Sequence, residues 1–272
     1  MEDDRGMTFP LPGLQQTEGR VARVEIRVAD DPGAFSRIAA SEILSRATAS
    51  IAERGRFCLC LSGGSTPQSL YGMLAKDSFF RTHIPWDRID LFWGDERHLP
   101  PDHPDSNYRM AKETLLSKVP IPEDNIHRIK GENPDPHQAA REYEEVLLHF
   151  FQLGRGTFPR FDLVLLGMGK DGHTASLFPG TEALQEQRRL VVVNRVEGLG
   201  ADRITLTLPV LNQAAFLLFL VSGDEKAETL KTVLEDKCYP NALPVQLIHP
   251  KEGRVVWLVD KAAARLLRKG RR

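Results

Sequence analysis

The sequence contains little cysteine, and its positive and negative charges almost cancel. Only three of the 272 residues are cysteines, too few for the disulfide framework of a small secreted protein. Cys58 and Cys60 share one face of a predicted strand. We interpret them as small buried apolar residues in a reducing compartment, the cytoplasm. The formal net charge of −1 gives no global field that would favour nucleic acid or a membrane as a partner.

Long apolar runs are also missing. No run is long enough to span a bilayer, and the acidic first residues lack the basic start and apolar middle of a signal peptide. Residues 1–20 are expected to form a flexible tail. Because the remainder, 21–272, shows no linker and no internal repeat, we predict a single α/β domain there. The sequence leaves both a monomer and a homodimer open.

Short apolar runs alternate with helical patterns along the chain. The buried strands are predicted at Phe57–Leu61, Ile89–Trp93, Leu163–Leu166 and Ala215–Val221. This alternation predicts an α/β fold, a mostly parallel Rossmann-like sheet covered by helices on both faces. A smaller C-terminal strand/helix portion is expected to follow, with a strand over 245–248 and a basic helix from Lys261. Ligands of such sheets bind at the carboxyl ends of the strands.

A glycine-rich loop follows the first of these buried strands. Its residues are Gly63, Gly64, Ser65 and Thr66. Thr66 is predicted to be a helix N-cap, with Pro67 in the first helical position. A strand that runs through such a loop into a helix aims backbone N–H groups and the positive end of the helix dipole at one point, which suits a phosphate. A plain strand–helix turn with a good cap fits the same pattern.

Three charged residues, Asp95, Glu96 and Arg97, follow the strand that ends at Trp93. They indicate a carboxylate and a guanidinium at the edge of the sheet, although a solvated loop is the alternative. His98 and His103 are candidates for a metal-binding pair. Two prolines separate them, which excludes helical ligand spacing, and we predict no metal site.

The loop after Leu166 contains three glycines, with Asp171 and His173 on either side of the last one. An imidazole beside a carboxylate at the end of a buried strand is a candidate for acid–base chemistry. The loop also satisfies the dinucleotide pattern GxGxxG. That interpretation requires a crossover helix after the third glycine, and Pro179 and Gly180 arrive too soon for one. We therefore predict no dinucleotide cofactor.

Taken together, the motifs resemble those of the 6-phosphogluconolactonase family. The matching segments are LSGGSTP (61–67), GDER (94–97), SNY (106–108), FDLVLLGMGKDGHTASLFPG (161–180), RITLTLPVLNQA (203–214) and SGDEKA (222–227). The resemblance implies hydrolysis of a sugar-phosphate lactone, 6-phospho-D-glucono-1,5-lactone, without a metal or an organic cofactor, on the fold shared with glucosamine-6-phosphate deaminases. Arg97 and the TASLFP continuation after His173 favour the lactonases over the deaminases. A non-catalytic sugar-phosphate sensor is a further alternative.

The resemblance also suggests roles for the residues at the strand ends. His173 is expected to be the general base, since an unperturbed imidazole has a pKa of about 6.5. Asp171 either orients the imidazole or shapes the loop through backbone hydrogen bonds. Arg97 stabilises the oxyanion or anchors sugar hydroxyls, and Asp95 orients Arg97 or the attacking water.

The phosphate is expected to bind the glycine-rich loop together with two cations. Arg203 and Lys226 match the family positions that supply fixed positive charge. The role of Asn107 is left open, because Ser106 and Asn107 also fit a simple helix cap.

Overall fold

The computed structural model describes residues 7–9, 24–196, 201–235 and 243–268. Its strands are β1 (Met7–Phe9), β2 (Val24–Ala29), β3 (Phe57–Leu61), β4 (Ile89–Trp93), β5 (Asp95–Arg97), β6 (Ile126–His127), β7 (Leu163–Leu166), β8 (Val191–Asn194), β9 (Arg203–Leu206), β10 (Phe216–Val221) and β11 (Arg254–Asp260). Its α-helices are α1 (Pro32–Arg54), α2 (Ser65–Lys76), α3 (Ser78–His83), α4 (Asn107–Thr114), α5 (Pro136–Phe150), α6 (Leu208–Leu211) and α7 (Ala227–Glu235).

The main sheet has eight strands in the order β1-β2-β11-β10-β7-β3-β4-β6. All neighbouring strands are parallel except β1, which pairs antiparallel with β2. Strands β3, β4 and β6 extend the sheet in one direction, and β7, β10 and β11 extend it in the other. The strand order therefore reverses between β3 and β7. The predicted mostly parallel α/β sheet is confirmed.

A second, three-stranded antiparallel sheet has the order β5-β9-β8. Asp95 pairs with Thr205 and Arg97 pairs with Arg203. Because paired residues and residues two apart point to the same side of a sheet, these four side chains share one face. The smaller portion of the fold is thus built from strands in the middle of the chain. The C-terminal strand β11 instead joins the main sheet, beside β10.

The predicted start of α2 was wrong by two residues. Gly64, not Thr66, is the N-cap, and α2 begins at Ser65. Gly64 has φ +102°, a conformation that glycine adopts readily and that a threonine side chain disfavours. Pro67 still lies in the first turn, where a missing N–H breaks no helical hydrogen bond.

Two predictions near the C-terminus were also wrong. Residues 245–248 do not form a strand, since Pro244–Leu247 is a 3-10 helix. The predicted basic helix from Lys261 is reduced to a 3-10 helix, Ala263–Leu266. Both predictions relied on short apolar or basic runs, and runs of this length do not distinguish a strand from a helical turn. The last residues of the predicted helix, 269–272, lie outside the described residues.

Two buried tyrosines hold the ends of neighbouring strands. The Tyr71 hydroxyl of α2 accepts a hydrogen bond from Ser62 N and donates one to Ser62 O. The Tyr143 hydroxyl of α5 does the same with Trp93, at 2.9 and 3.0 Å. Each helix thereby satisfies backbone groups where β3 and β4 end. The loops that follow these strands therefore start from fixed points.

Cys58 and Cys60 are buried in β3, as predicted, whereas Cys238 lies outside the described residues. The division into a tail (1–20) and a domain (21–272) stays a prediction, and Met7–Phe9 pairs with β2 within that tail. Among the helices of the described chain, none has the length and apolar character needed to cross a membrane.

Candidate active site

Four loops with predicted site residues come together at one edge of the main sheet. They follow β10, β7, β3 and β4, which are consecutive neighbours in the sheet. Because these strands are parallel, their carboxyl ends lie along the same edge. The reversal of strand order between β3 and β7 falls in the middle of this group. A crevice at such a reversal is where open α/β sheets bind ligands.

Asp171 and His173 form a hydrogen-bonded pair in the loop after β7. The carboxylate Oδ1 of Asp171 lies 2.6 Å from His173 Nδ1 and also accepts His173 N–H at 3.2 Å. Since a carboxylate only accepts, the neutral imidazole carries its proton on Nδ1 and leaves the lone pair on Nε2. The imidazole stacks on Phe178, with ring centroids 4.2 Å apart. A single carboxylate oxygen of Asp171 thus contacts both the imidazole and the backbone of the loop.

The loop around this pair is tightly folded. Gly169 N donates to His173 O at 2.8 Å, and Gly172 N donates to Gly169 O at 3.1 Å. A methyl group on Gly169 would overlap both His173 Nδ1 and Asp171 Oδ1. Gly172 has φ +76°, and its carbonyl accepts Val245 N–H at 3.0 Å. The segment before β11 thus supports the loop from outside.

Arg97 and Arg203 lie side by side on one face of the second sheet. Each guanidinium donates to one backbone carbonyl, Arg97 to Asp105 O at 2.6 Å and Arg203 to Ala201 O at 2.7 Å. Burial, together with the neighbouring Arg97 charge, lowers the pKa of Arg203. Arg97 Nε is buried and has no hydrogen-bond partner among the described residues. Two adjacent, half-buried guanidiniums favour a ligand that carries negative charge.

Asp95 is buried, and its side chain forms its hydrogen bond with Ser176 and not with Arg97 or Arg203. Its Oδ2 accepts the Ser176 hydroxyl at 2.6 Å, and its backbone carbonyl accepts the Asn107 amide at 2.9 Å. Ser176 follows His173 by three residues, so Asp95 links the histidine loop to the second sheet. Ser176 was not predicted as a site residue, because a serine in an apolar stretch gives no pattern by itself.

The structural role of Glu96 was also not predicted from the sequence. Its Oε1 accepts Arg97 N–H and Asn107 N–H, both at 2.8 Å, and its Oε2 accepts Tyr108 N–H at 2.8 Å and the Ser106 hydroxyl at 3.1 Å. Burial raises the pKa of Glu96 despite these donors. The carboxylate therefore fixes the start of α4 next to Arg97, where the helix dipole favours a negative charge. The signal available in the sequence was an acidic residue ten positions before the serine that caps α4.

The glycine-rich loop packs directly against Asn107. A Cβ on Gly63 would overlap the Asn107 side chain, so only glycine allows this contact. No side chain caps α2 within the described residues. Ser65 and Thr66 occupy its first turn, where backbone N–H groups have no helical partner. The loop thus presents the free donors that the phosphate prediction requires.

Lys226 ends a 3-10 helix, Asp224–Lys226, directly after the loop of β10. Asp260 holds that loop by accepting the Ser222 hydroxyl at 2.6 Å and Gly223 N–H at 3.0 Å. Burial lowers the pKa of Lys226, and Lys170 acts in the same direction. A bound anion would offset both effects, which makes this position suitable for a phosphate.

The two histidines considered as metal ligands are used separately. A ring nitrogen of His98 lies 2.6 Å from Asn133 O, and His103 Nδ1 accepts Asp105 N–H at 3.1 Å. No group of three or more His, Cys, Asp or Glu side chains in the described ranges is arranged to hold a metal ion.

Comparisons with known proteins agree on one family. The family model described as glucosamine-6-phosphate isomerases/6-phosphogluconolactonase matches residues 30–257. A 6-phosphogluconolactonase of Synechocystis sp. is 45% identical over 83% of this chain and 91% of its own length. The 6-phosphogluconolactonase of Rattus norvegicus is 39% identical over 96% of each chain. The solved 6-phosphogluconolactonase from Trypanosoma cruzi is 30% identical, with a TM-score of 0.79, and the match covers 92% of this chain and 99% of that one.

Proposed function

The chain belongs to the family of glucosamine-6-phosphate isomerases and 6-phosphogluconolactonases, and we propose that it hydrolyses 6-phospho-D-glucono-1,5-lactone to 6-phospho-D-gluconate. This reaction is the second step of the oxidative pentose phosphate pathway. The lactonase names of relatives that are 39% and 45% identical over most of the chain support this activity over the deaminase alternative. The observation that carries the proposal is the Asp171–His173 pair, at the same sheet edge as the cationic residues that suit a phosphate.

His173 is the general base in the proposed mechanism. The oxygen of a water molecule attacks the lactone carbonyl carbon while Nε2 of the imidazole accepts a proton from that water. Asp171 holds Nδ1–H and stabilises the imidazolium that forms. The tetrahedral intermediate then breaks its bond to the ring oxygen. The imidazolium returns the proton to this leaving oxygen, which gives the carboxylic acid and regenerates the base.

Arg97 stabilises the negative oxygen of the tetrahedral intermediate in this proposal. Its guanidinium donates from Nη1 to Asp105 O, and Nη2 makes no hydrogen bond within the described residues, so Nη2 is a donor still available to a substrate. Asp95 has a positioning role. Its hydrogen bond with Ser176 connects the second sheet, which carries Arg97, with the loop that carries His173. No metal or organic cofactor takes part in the proposed mechanism.

Three groups bind the phosphate in the proposed complex. They are the N–H donors of Ser65 and Thr66 at the start of α2, the guanidinium of Arg203, and the ammonium of Lys226. Gly63 and Gly64 allow the loop to approach the ligand closely. The buried thiols of Cys58 and Cys60 support the further expectation of a cytoplasmic, reducing setting.

The function is tested by following lactone hydrolysis in the presence of a chelator. Glucose-6-phosphate dehydrogenase generates the lactone in place, and formation of 6-phosphogluconate is measured against the spontaneous rate. Acceleration by the wild-type protein supports the proposal. An unchanged rate combined with ammonia release from glucosamine 6-phosphate would replace it with the deaminase activity. An unchanged rate with sugar-phosphate binding alone would support the sensor alternative.

Replacement of Arg203 or Lys226 by alanine is expected to weaken binding of the phosphorylated lactone. A hydrogen bond to a charged group contributes about 1.5–3 kcal/mol, so KM should rise roughly 10- to 100-fold. For unphosphorylated glucono-1,5-lactone the KM should stay unchanged. Lys251→Ala serves as the control, because Lys251 is exposed and precedes β11 at the opposite edge of the sheet. Equal losses with both lactones would refute the phosphate assignment.

A further inference from the structure

The turn that follows His173 is held in an unfavourable conformation. Thr174 to Leu177 form a tight turn in which Leu177 N donates to Thr174 O at 2.9 Å. Ala175 in this turn has φ +48°, a left-handed conformation that side chains with a Cβ disfavour. Such a turn persists only where its surroundings fix it. The residue that meets those surroundings is Ser176, which is 2% exposed.

All three polar groups of Ser176 bond to the second sheet, one to each strand. Its hydroxyl donates to Asp95 Oδ2 of β5 at 2.6 Å. Its N–H donates to Thr205 Oγ1 of β9 at 3.3 Å, and its carbonyl accepts the Asn194 amide of β8 at 2.8 Å. The three partners share the face that also carries Arg97 and Arg203.

We propose that Ser176 is a positioning residue for the reaction, a clamp that sets His173 relative to the two arginines. This inference rests on the proposed function. The bond to Asp95 is the strongest of the three, because a short hydroxyl–carboxylate hydrogen bond is charge-assisted and both groups are buried. His173 lies on a loop of the main sheet, and the arginines lie on the second sheet. Ser176 connects the two.

Without the hydroxyl, the backbone bonds alone must hold the strained turn. The imidazole then samples positions away from the carbonyl carbon and the oxyanion donors. Misplacement of a catalytic group by about 1 Å can cost roughly 100-fold in rate. The phosphate-binding groups lie on β9, at the start of α2 and on the 3-10 helix after β10, and they keep their positions. Loss of Ser176 should therefore lower kcat and leave KM nearly unchanged.

The test compares Ser176→Ala with Thr207→Val as a matched control. Thr207 directly follows β9 and is fully buried, and its hydroxyl donates to Arg189 O at 2.8 Å. We expect kcat to fall about 10- to 100-fold in Ser176→Ala and to stay within about twofold in Thr207→Val. In a His173→Ala background, Ser176→Ala should cause no further loss, because there is no base left to position.

Hydrogen–deuterium exchange gives a second readout that does not depend on activity. Peptides covering 169–178 should exchange faster in Ser176→Ala and at the wild-type rate in Thr207→Val. Unchanged exchange in Ser176→Ala would overturn the clamp. An equal loss of kcat with and without His173 would overturn the positioning role and indicate general destabilisation. If the wild-type protein did not hydrolyse the lactone, the proposed function would fail, whereas faster exchange would still support the clamp.

Discussion

His173→Ala is expected to lower kcat by about 100- to 10,000-fold, the usual effect of losing a general base. The imidazole is the group whose geometry fits this role, since Asp171 fixes Nδ1–H and leaves Nε2 free to accept a proton. The proposed phosphate ligands lie on other segments, namely β9, the start of α2 and the 3-10 helix after β10, so KM for the phosphorylated lactone should change little. Steady-state kinetics of the coupled assay, corrected for spontaneous hydrolysis, measure both constants.

His149→Ala is the matched control, because His149 is an exposed histidine on α5. Its kcat should equal that of the wild type. A large rise in KM with normal kcat in His173→Ala would assign His173 to substrate binding instead of catalysis. Wild-type kinetics in His173→Ala would show that the Asp171–His173 pair does not take part in the mechanism and that another residue is the base.

The sequence was sufficient for those parts of the site that depend on local patterns. Short buried apolar runs located β3 and β7, the second of which ends directly in glycine, and glycine spacing located the loops after them. Strand alternation then placed the carboxyl ends of these strands at one edge. Asp171 and His173 could be paired in advance because only one residue separates them.

What the sequence did not reveal depends on contacts between distant segments. Asp95 and Ser176 are 81 residues apart, and no periodicity in either segment indicates their hydrogen bond. The pairing of β5 with β9 was missed for the same reason, because three-residue strands give too little alternation to predict a partner. Asp95 and Glu96 were both expected at the edge of the sheet. They do follow β4 there, but both are buried: Asp95 accepts a hydrogen bond from Ser176, and Glu96 accepts one from the start of α4, and neither contact was predicted.

Gly169→Ala is expected to reduce kcat almost as severely as removal of the imidazole itself, by roughly 100-fold or more. A methyl group at this position would overlap His173 Nδ1 and Asp171 Oδ1, so the two side chains cannot keep their hydrogen bond. The backbone of Gly169 does not have positive φ. The effect therefore comes from steric overlap alone, and backbone strain does not contribute.

The fold should tolerate Gly169→Ala. His173 and Asp171 are 31% and 48% exposed at their side chains, so both can turn toward solvent without disrupting the core. Thermal unfolding is expected to shift by only a few degrees, which corresponds to about 1 kcal/mol for a chain of this size. KM for the phosphorylated lactone should be close to that of the wild type. A large loss of kcat with only a small loss of stability would indicate that the Asp171–His173 pair is displaced.

Gly72→Ala controls for the substitution itself. Gly72 lies within α2, and a Cβ there meets no atom within 4 Å. Alanine in a helix interior is favoured over glycine by about 0.5–1 kcal/mol, so this variant should be fully active and slightly more stable. Combining Gly169→Ala with His173→Ala decides the mechanism of the loss. If the methyl group acts by displacing the imidazole, the double variant will be no slower than His173→Ala. A further large loss would show that Gly169 contributes to the site independently of the Asp171–His173 pair.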